Sequence, residues 1–288
     1  MDSANVPIVN LDSLMPQDIA LKAEAVGVAK ANLGYRRLLV LGILAGAFIG
    51  MGAIFATTVA TGSSALPYGV ARLLIGLVFS LGLILVIVGG AELFTGNNLI
   101  VMAWASGRVP TRLLLRNWLW VYVGNFIGSV GTAALVFLSG QYKFGGAAVG
   151  TTALNIAAGK VRLDFVEALV LGILCNALVC LAVWLTMGGR TTTDKILAIL
   201  FPISAFVAAG FEHSIANMYF IPVGILIKDF APPKFWTTAG LDALNYADLT
   251  WGAFFMNNLL PVTIGNIIGG AVLVGVVYWA VYLRKRPK

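Results

Sequence analysis

Stretches without a charged residue dominate the chain. Four of them are long, at 38–71, 117–142, 168–189 and 249–283. Two more are interrupted only by isolated polar side chains, namely 73–107 by Glu92 and 196–227 by Glu212 and His213. An apolar run of about 18 residues or more is long enough to cross a bilayer as a helix. The pattern therefore predicts an all-α membrane protein with six transmembrane helices.

The composition agrees with lipid as the surrounding solvent. Hydrophobic residues make up 59% of the chain and charged residues 11%, with a mean hydropathy of +0.92, whereas soluble domains carry about 25% charged residues. Cys175 and Cys180 lie in one apolar run, which excludes a disulfide framework. The sequence has no metal-ligand spacing and no phosphate-binding loop. We therefore expect no metal, no cofactor, no ATP-driven pumping and no nucleic-acid partner.

The distribution of the 19 Lys and Arg residues predicts the orientation. An even number of spans puts both termini on one side of the membrane, and that side carries 13 of these residues. The other side carries the remaining six, which are Arg72, Lys143, Lys160, Arg162, Lys228 and Lys234. Because basic residues concentrate on the cytoplasmic side, both termini are predicted to be cytoplasmic.

The N-terminal segment 1–35 is predicted to be cytoplasmic and amphipathic. Its helical stripe consists of Ile19, Ala23, Val26 and Ala29. A helix of this kind lies on the membrane or on a neighbouring subunit. The alternative is a soluble cap with no role in function.

The two halves of the chain resemble each other in three places. The hexapeptide LVLGIL at 39–44 recurs at 169–174, and a glutamate at 92 or 212 precedes an asparagine by five residues. An asparagine also precedes GNFIG at 124–128 and GNIIG at 265–269 at the same spacing. Because three spans is an odd number, the second copy must enter the membrane from the opposite side. The chain 1–288 is thus predicted to be one transmembrane domain with inverted three-helix repeats, 36–142 and 162–283, and a substrate site at their interface.

The second and fifth spans are longer than the roughly 20 residues of one crossing. Each contains small and polar residues near its middle, at 89–98 and 210–217. Such stretches suit broken helices whose unwound backbone lines a cavity. The half-helices that follow point their N-termini inward, and those ends attract anions. The alternative is a pair of kinked helices with buried, satisfied polar groups.

Glu92 and Glu212 occupy equivalent positions and need partners at mid-membrane. We interpret them as acceptors that tie the broken backbone to nearby Asn side chains, because a bare carboxylate would repel the anion. A proton carrier or cation ligand is the alternative. His213 is the only histidine, and Leu93 is its equivalent. With a reference pKa of about 6.5, an imidazole there is predicted to gate the path or to protonate a weak acid in transit, rather than only to bond the backbone.

Lys160 and Arg162 lie at the predicted non-cytoplasmic entrance, where they are expected to draw anions inward. Ordinary surface charges are the alternative. Asn176 in the fourth span faces the pore or bonds a neighbouring helix. An intramembrane enzyme would need a nucleophile beside His213, and Ser214 is adjacent only in sequence, because neighbours on a helix point apart. We therefore predict no enzymatic activity.

Three motifs together resemble the formate/nitrite transporter family. They are AELFTGN at 91–97, GFEHSIANM at 210–218 and NLLPVTIGN at 258–266. The resemblance covers nearly the whole chain and is closest to the bacterial formate channel branch, through 171–184, 206–222 and 258–278. One departure is Gly96-Asn97-Asn98, where the best-known formate channel has Ser-Thr-Val and the nitrite branch has Gly-Asn.

The resemblance implies a homopentamer in which each protomer has its own pore in an aquaporin-like fold. It implies that His213 is the central histidine with Thr95 as its partner. Lys160 matches the family's vestibule lysine and Asn176 its pore asparagine. The family's apolar constrictions match Phe79, Leu83, Leu93, Phe94 and Phe206.

These observations predict a pentameric channel of the bacterial inner membrane that passes formate and related small monovalent anions such as nitrite and acetate. Its partners are then the anion, protons, the lipid bilayer and further copies of the same chain. Proton coupling and pH gating through His213 form the mechanistic hypothesis. The alternatives are a member of the family that prefers nitrite or hydrosulfide, and a facilitator for neutral solutes.

Overall fold

The computed structural model describes residues 12–284, and this part of the chain consists of helices and connecting loops. The first half contains five α-helices: α1 (Pro16–Ala31), α2 (Tyr35–Ala60), α3 (Tyr68–Gly89), α4 (Val101–Ala105) and α5 (Thr111–Ser139). Short 3₁₀ helices lie at Ser63–Ala65, Gly96–Ile100 and Gln141–Lys143. Residues 1–11 of the predicted N-terminal segment lie outside the described residues. So do Lys285, Arg286 and Lys288, which contribute to the charge asymmetry.

The second half repeats the order of long helices. It contains α6 (Ala148–Val161), α7 (Phe165–Gly188), α8 (Thr192–Ala209), α9 (Ser214–Phe230) and α10 (Pro233–Ala239), followed by a 3₁₀ helix at Ala243–Tyr246. The last span is α11 (Trp251–Ala253), α12 (Leu260–Ile267) and α13 (Val277–Tyr282), joined by π-helical segments Phe254–Leu259 and Ile268–Val276.

Six helical stretches within residues 12–284 are long and apolar enough to cross a bilayer. They are α2, α3, α5, α7, α8 and the stretch Ala243–Tyr282, and the pair α9 and α10, bent by 109°, passes the same test together. The prediction of an all-α membrane protein with six spans is thus confirmed, and the protein is a multi-pass membrane protein.

The first span ends earlier in the structure than the distribution of charged residues predicts. The uncharged run 38–71 includes the end of α2 and the start of α3. The chain turns between them, where Gly62 adopts a left-handed φ of 76° and Pro67 precedes the first residue of α3. The turn is built from Thr, Gly, Ser and Pro, so a search for charges passes over it.

Helix α1 packs against its own chain. It contacts the 3₁₀ helix Gly96–Ile100, α4 and α7, and a Cβ on Gly27 would lie only 3.1 Å from the Cβ of Ala103. The expected apolar stripe is therefore partly wrong, because Ile19 and Ala23 are buried whereas Ala29 is exposed. Ile19 and Ala23 therefore pack within this protomer, and Ala29 lies outside the packed face.

The long helices cross at glycines in matching places of the two halves. A Cβ on Gly128 would lie 2.0 Å from the carbonyl oxygen of Ile43, and a Cβ on Gly269 would lie 2.1 Å from that of Ile173. Small residues let membrane helices approach backbone to backbone. These two contacts, α5 on α2 and the last span on α7, hold the middle of each half together.

Candidate functional site

The chain is non-helical at 90–95 and at 210–213, within the two stretches of small and polar residues at 89–98 and 210–217, which we call the first and second breaks. Helix α3 ends at Gly89, and regular structure resumes only at Gly96; α8 ends at Ala209, and α9 begins at Ser214. The residue after each helix end is a left-handed glycine, Gly90 with φ 82° and Gly210 with φ 78°. A glycine reaches this conformation without the steric cost of a Cβ, so it ends a helix sharply.

Asn125 of α5 fixes the first break. Its Nδ2 donates to the carbonyl oxygens of Gly42 (2.8 Å) and Glu92 (2.9 Å). Its Oδ1 accepts the backbone N–H of Phe94 at 2.9 Å. Unwound backbone groups that lack helical partners at membrane depth are thus satisfied by one fully buried side chain.

Asn266 of α12 fixes the second break in the same way. Its Nδ2 donates to the carbonyl oxygens of Gly172 (2.8 Å) and Glu212 (3.0 Å). Its Oδ1 accepts the N–H of Ser214 at 2.9 Å. The two breaks therefore share one hydrogen-bonding framework.

The carboxylate of Glu92 is fully engaged. Its Oε1 lies 2.9 Å from Lys30 Nζ, and its Oε2 accepts from Asn97 Nδ2 at 2.7 Å. Asn97 also accepts from Lys30 (2.9 Å) and donates to Asn117 (2.9 Å), whose Nδ2 donates to the Lys30 carbonyl oxygen (3.1 Å). The contacts are those of an acceptor that ties the break to its surroundings.

The carboxylate of Glu212 has a similar set of partners, with one more asparagine. Its Oε1 lies 2.7 Å from Lys160 Nζ, and its Oε2 accepts from Asn217 (2.6 Å) and Asn258 (3.1 Å). Asn258 also donates to the Lys160 carbonyl oxygen at 3.0 Å. The expected entrance cation is thus neutralised by an ion pair, with only 17% of its side chain exposed.

Sequence reasoning missed Lys30 and the helix α6 that carries Lys160. The signal was present, because Lys30 and Lys160 each precede a copy of LVLGIL by nine residues. Helices α1 and α6 therefore occupy equivalent places, outside the predicted limits of the repeats.

His213 joins the two halves at the centre of the site. Its side chain is buried, and its Nδ1 accepts the N–H of Ala216, which caps the start of α9 at 3.1 Å. Its Nε2 lies 2.9 Å from Thr95 Oγ1 in the first break. Because Nδ1 is an acceptor, the neutral ring carries its proton on Nε2 and donates it to the Thr95 hydroxyl.

A cavity of about 330 Å³, which we call the vestibule, opens beside His213. Its lining includes Arg72, Phe79, Lys160 and Phe206. The Phe206 ring stacks on the His213 imidazole with centroids 5.9 Å apart, and Phe79 meets Phe206 edge-on at 5.7 Å. The vestibule therefore ends at an aromatic wall beside the histidine.

A much smaller cavity of about 30 Å³, which we call the α1 pocket, lies between α1 and the first break. It is lined by Leu83, Leu93 and Gly96, and by Lys30 of α1. Phe79 lines the vestibule and Leu83, one turn further along α3, lines the α1 pocket. The two cavities are thus separated by an apolar section at these residues.

Phe94 packs against α5. Its ring packs edge-on against Tyr122 at 4.9 Å and Trp118 at 6.0 Å, and it lines an apolar groove that also contains Met256. It lines neither the vestibule nor the α1 pocket. Successive side chains of an unwound segment point in different directions, so Leu93 faces the α1 pocket while Phe94 faces α5.

Asn176 is not among the residues that line the vestibule. It is fully buried, and its Nδ2 lies within hydrogen-bonding distance of the Asn266 carbonyl oxygen (2.7 Å), Asn98 Oδ1 (2.9 Å) and the Thr95 carbonyl oxygen (3.3 Å). Of the two readings open from sequence, bonding to neighbouring elements is the one that the contacts support.

A family model described as "Formate/nitrite transporter" matches residues 17–280. The chain belongs to the formate/nitrite transporter family. It is 48% identical over 274 residues to the formate channel FocA of Escherichia coli (strain K12), covering 95% of this chain and 96% of that protein. It is 44% identical over 264 residues to FocA of Haemophilus influenzae (strain ATCC 51907 / DSM 11121 / KW20 / Rd), covering 92% and 93%.

A solved structure described as a pentameric formate channel with formate bound superposes on this protein with a TM-score of 0.83. The two are 46% identical, and the match covers 87% of this chain and 98% of the other. The predicted membership of the formate/nitrite transporter family is confirmed, and the similar proteins are named as channels.

Residues 96–98 of this formate/nitrite transporter, which differ from the motif of the best-known formate channel, make specific contacts in the structure. Asn97 carries the contacts to Lys30 and Glu92 described above, and Asn98 donates to the Phe94 carbonyl oxygen at 3.2 Å. Gly96 lines the α1 pocket. Asn97 and Asn98 thus contribute to the hydrogen bonds that hold the first break.

The geometry also bears on the enzyme alternative. Ser214 is fully buried, and among the residues that the structure describes its Oγ has no hydrogen-bond partner. Both ring nitrogens of His213 are occupied by Ala216 and Thr95. A serine nucleophile needs a base within hydrogen-bonding reach, and this arrangement places none there.

Proposed function

We propose that the protein is a channel for formate and related small monovalent anions, with His213 and Thr95 as the deciding pair. The observation that carries the proposal is the 2.9 Å contact between these two side chains, where a cation-lined vestibule meets an apolar section. The names of the similar proteins, formate channels, support formate as the substrate. No enzymatic step is part of the proposal.

The anion loses its water where the vestibule narrows at Phe79 and Phe206. An unpaired charge is costly in such surroundings, so the anion needs a hydrogen-bond donor there. The Nε2–H of His213 supplies one by turning from the Thr95 hydroxyl to the anion. When the ring is charged it can also give a proton, and the neutral acid then passes the section between the two cavities.

Protonation of His213 has a structural consequence. A proton added at Nδ1 removes the acceptor that holds the N–H of Ala216, and the first turn of α9 loses its cap. We propose that this loss couples external pH to the opening of the path. The pH dependence of transport would then arise in the second break.

The proposal includes the assembly and the setting. The similar solved structure is described as a pentamer, and we propose a homopentamer with one pore in each protomer. The excess of 13 Lys and Arg over six supports a bacterial inner membrane location with both termini cytoplasmic. The matched contacts of the two breaks support two inverted repeats in an aquaporin-like layout.

The test uses the purified protein in liposomes, with formate and proton fluxes recorded together over a series of external pH values. His213→Asn is the informative variant, because asparagine is a good helix N-cap but does not titrate near neutrality. We expect the variant to fold and to conduct formate, and to lose the pH-dependent change in flux. Identical pH profiles for the wild type and the variant would contradict the role of His213.

The choice of substrate is tested in the same liposomes. We expect formate to permeate, with nitrite and acetate as related anions and glycerol excluded. A nitrite flux well above that of formate would assign the protein to nitrite, in keeping with Gly96-Asn97 in the first break. A glycerol flux without an anion flux would replace the proposal by a facilitator for neutral solutes.

A further inference from the structure

Arg72, near the start of α3, reaches across the vestibule entrance to α8. Its Nε donates to the carbonyl oxygen of Ala208 at 3.0 Å, and its Nη2 donates to that of Val207. These carbonyl groups belong to the last turn of α8, where carbonyl oxygens lose their usual i+4 donors. That of Val207 also accepts the N–H of Gly210 at 3.1 Å. Arg72 also lines the vestibule, together with Phe79 and Phe206.

The charges around the vestibule do not cancel. Its lining carries the side chains of Arg72, Lys160 and Glu212, together with neutral His213. Lys160 and Glu212 form an ion pair at 2.7 Å and compensate each other. Within residues 12–284 no carboxylate lies within ion-pair distance of Arg72, whose partners are carbonyl groups. The net positive charge of the vestibule is therefore the charge of Arg72.

The surroundings strengthen the field of this charge. Phe79, Phe206 and Phe220 line the same cavity, and low-dielectric walls focus the field of a charge along the opening between them. A guanidinium is protonated at every pH at which proteins are folded. The attraction therefore does not depend on the titration of His213.

In the part of the chain that the structure describes, the α1 pocket has no charged residue that corresponds to Arg72 of the vestibule. The charged residue that lines the α1 pocket is Lys30, and its ammonium is paired with Glu92 at 2.9 Å. Of these two cavities, only the vestibule thus has an uncompensated cation among its described lining residues.

We propose that Arg72, and not the ion-paired Lys160, supplies the charge that concentrates the substrate anion at the vestibule. This inference rests on the proposed function, anion permeation. It assigns the capture of the anion to a residue of α3, and it leaves to Lys160 the role of holding Glu212 and the second break.

The test compares Arg72→Gln and Arg72→Lys with the wild type in liposomes. Initial rates of formate uptake are measured against formate concentration at about 10 mM and about 1 M of a salt of bulky, impermeant ions. The Debye length is about 30 Å in the first condition and about 3 Å in the second. At low salt we expect Arg72→Gln to raise the apparent KM about two- to fivefold, with the maximal rate unchanged. At high salt the difference should disappear, and Arg72→Lys should behave as the wild type.

Lys234→Gln is the matched control, because Lys234 is an exposed cation of α10 on the predicted same side and does not line the vestibule. We expect no change in its apparent KM. Equal effects of Lys234→Gln and Arg72→Gln would overturn the proposal. So would an equal fall in maximal rate at both salt concentrations in both Arg72 variants, which would show that Arg72 only holds the end of α8.

The wild type provides a test that needs no variant. Its apparent KM for formate should rise with ionic strength, and a KM that is the same at both salt concentrations would overturn the proposal. A wild type that carries no anion at all, while size-exclusion chromatography shows an intact oligomer, would instead contradict the proposed function.

Discussion

The two breaks share a framework and differ in what the framework holds. In each, one asparagine of the last long span of that half fixes the unwound backbone. A lysine and an asparagine five residues further along the chain hold the glutamate. At the position that follows the glutamate, the first break has Leu93 and the second has His213. The conserved geometry of the framework thus places one apolar and one polar side chain at equivalent depths.

The structure beyond each break also differs. The first break continues into the five-residue 3₁₀ helix Gly96–Ile100 and the short α4, and α1 covers it over a cavity of about 30 Å³. The second continues into the 17-residue α9 and faces a vestibule of about 330 Å³. A symmetric framework can therefore serve an asymmetric path, because the side chains and the covering helix need not obey the symmetry.

The largest expected effect is a loss of folding when the helix crossing that both halves share is disrupted. Gly128→Val and Gly269→Val each place a side chain where even a Cβ would lie 2.0 or 2.1 Å from a backbone oxygen. The helices would have to separate, and overpacking of this kind exceeds the usual cost of about 1–3 kcal/mol. We expect no folded oligomer from either variant by size-exclusion chromatography.

Gly131→Ala is the control for this prediction. Gly131 lies in the same helix as Gly128, and a Cβ there meets no atom within 4 Å. It should fold like the wild type. If only one of the two valine variants failed to fold, the two helix crossings would not be equivalent.

The next largest effect is a loss of thermal stability when Lys30 or Lys160 is replaced. Removing one partner of a buried ion pair costs about 3–5 kcal/mol, because the other charge is left unpaired. Lys160→Met should therefore lower the thermal stability strongly. Lys30→Met should do so less, because 30% of the Lys30 side chain is exposed against 17% for Lys160, so water reaches Glu92 more easily.

A double variant checks that the effect comes from the ion pair. Lys160→Met with Glu212→Gln keeps an acceptor for Asn217 and removes the buried charge, and it should recover part of the lost stability. A double variant as unstable as the sum of the two single changes would show that Lys160 and Glu212 are not coupled.

A smaller effect is expected at the contact between the halves. Thr95→Val removes the hydroxyl and leaves the Nε2–H of buried His213 without its acceptor, which costs about 1–3 kcal/mol. Thr95→Ser keeps the hydroxyl and should retain the wild-type melting temperature and pH profile. Equal melting temperatures for the valine and serine variants would mean that the hydrogen bond does not hold the two breaks together.

The smallest effect concerns the surface. Arg162 pairs with Asp248, but about half of the Arg162 side chain is exposed. Exposed ion pairs contribute about 0–1 kcal/mol, and salt reduces this further. Arg162→Gln should leave thermal stability and formate flux nearly unchanged. A large loss of formate flux would instead support the prediction from sequence that Arg162 attracts anions.

Much of the architecture could be predicted from local sequence. The six spans follow from runs of apolar residues, because transfer into lipid is an additive property of neighbouring side chains. The family follows from three motifs, and the non-helical stretches coincide with the small and polar residues around Glu92 and Glu212. The turn between α2 and α3 was missed because its residues carry no charge.

The sequence by itself determined which residues belong at membrane depth and which of them are unusual there, including Glu92, Glu212 and His213. Only the tertiary structure decided their partners, because an ion pair such as Lys30 with Glu92 joins residues far apart in the chain. It also decided which aromatic side chains border the vestibule, since Phe94 turns towards α5 while Phe206 stacks on His213. Hydropathy is a property of each segment, whereas charge compensation depends on which segments meet, and for that reason the uncompensated charge of Arg72 is visible only in the folded chain.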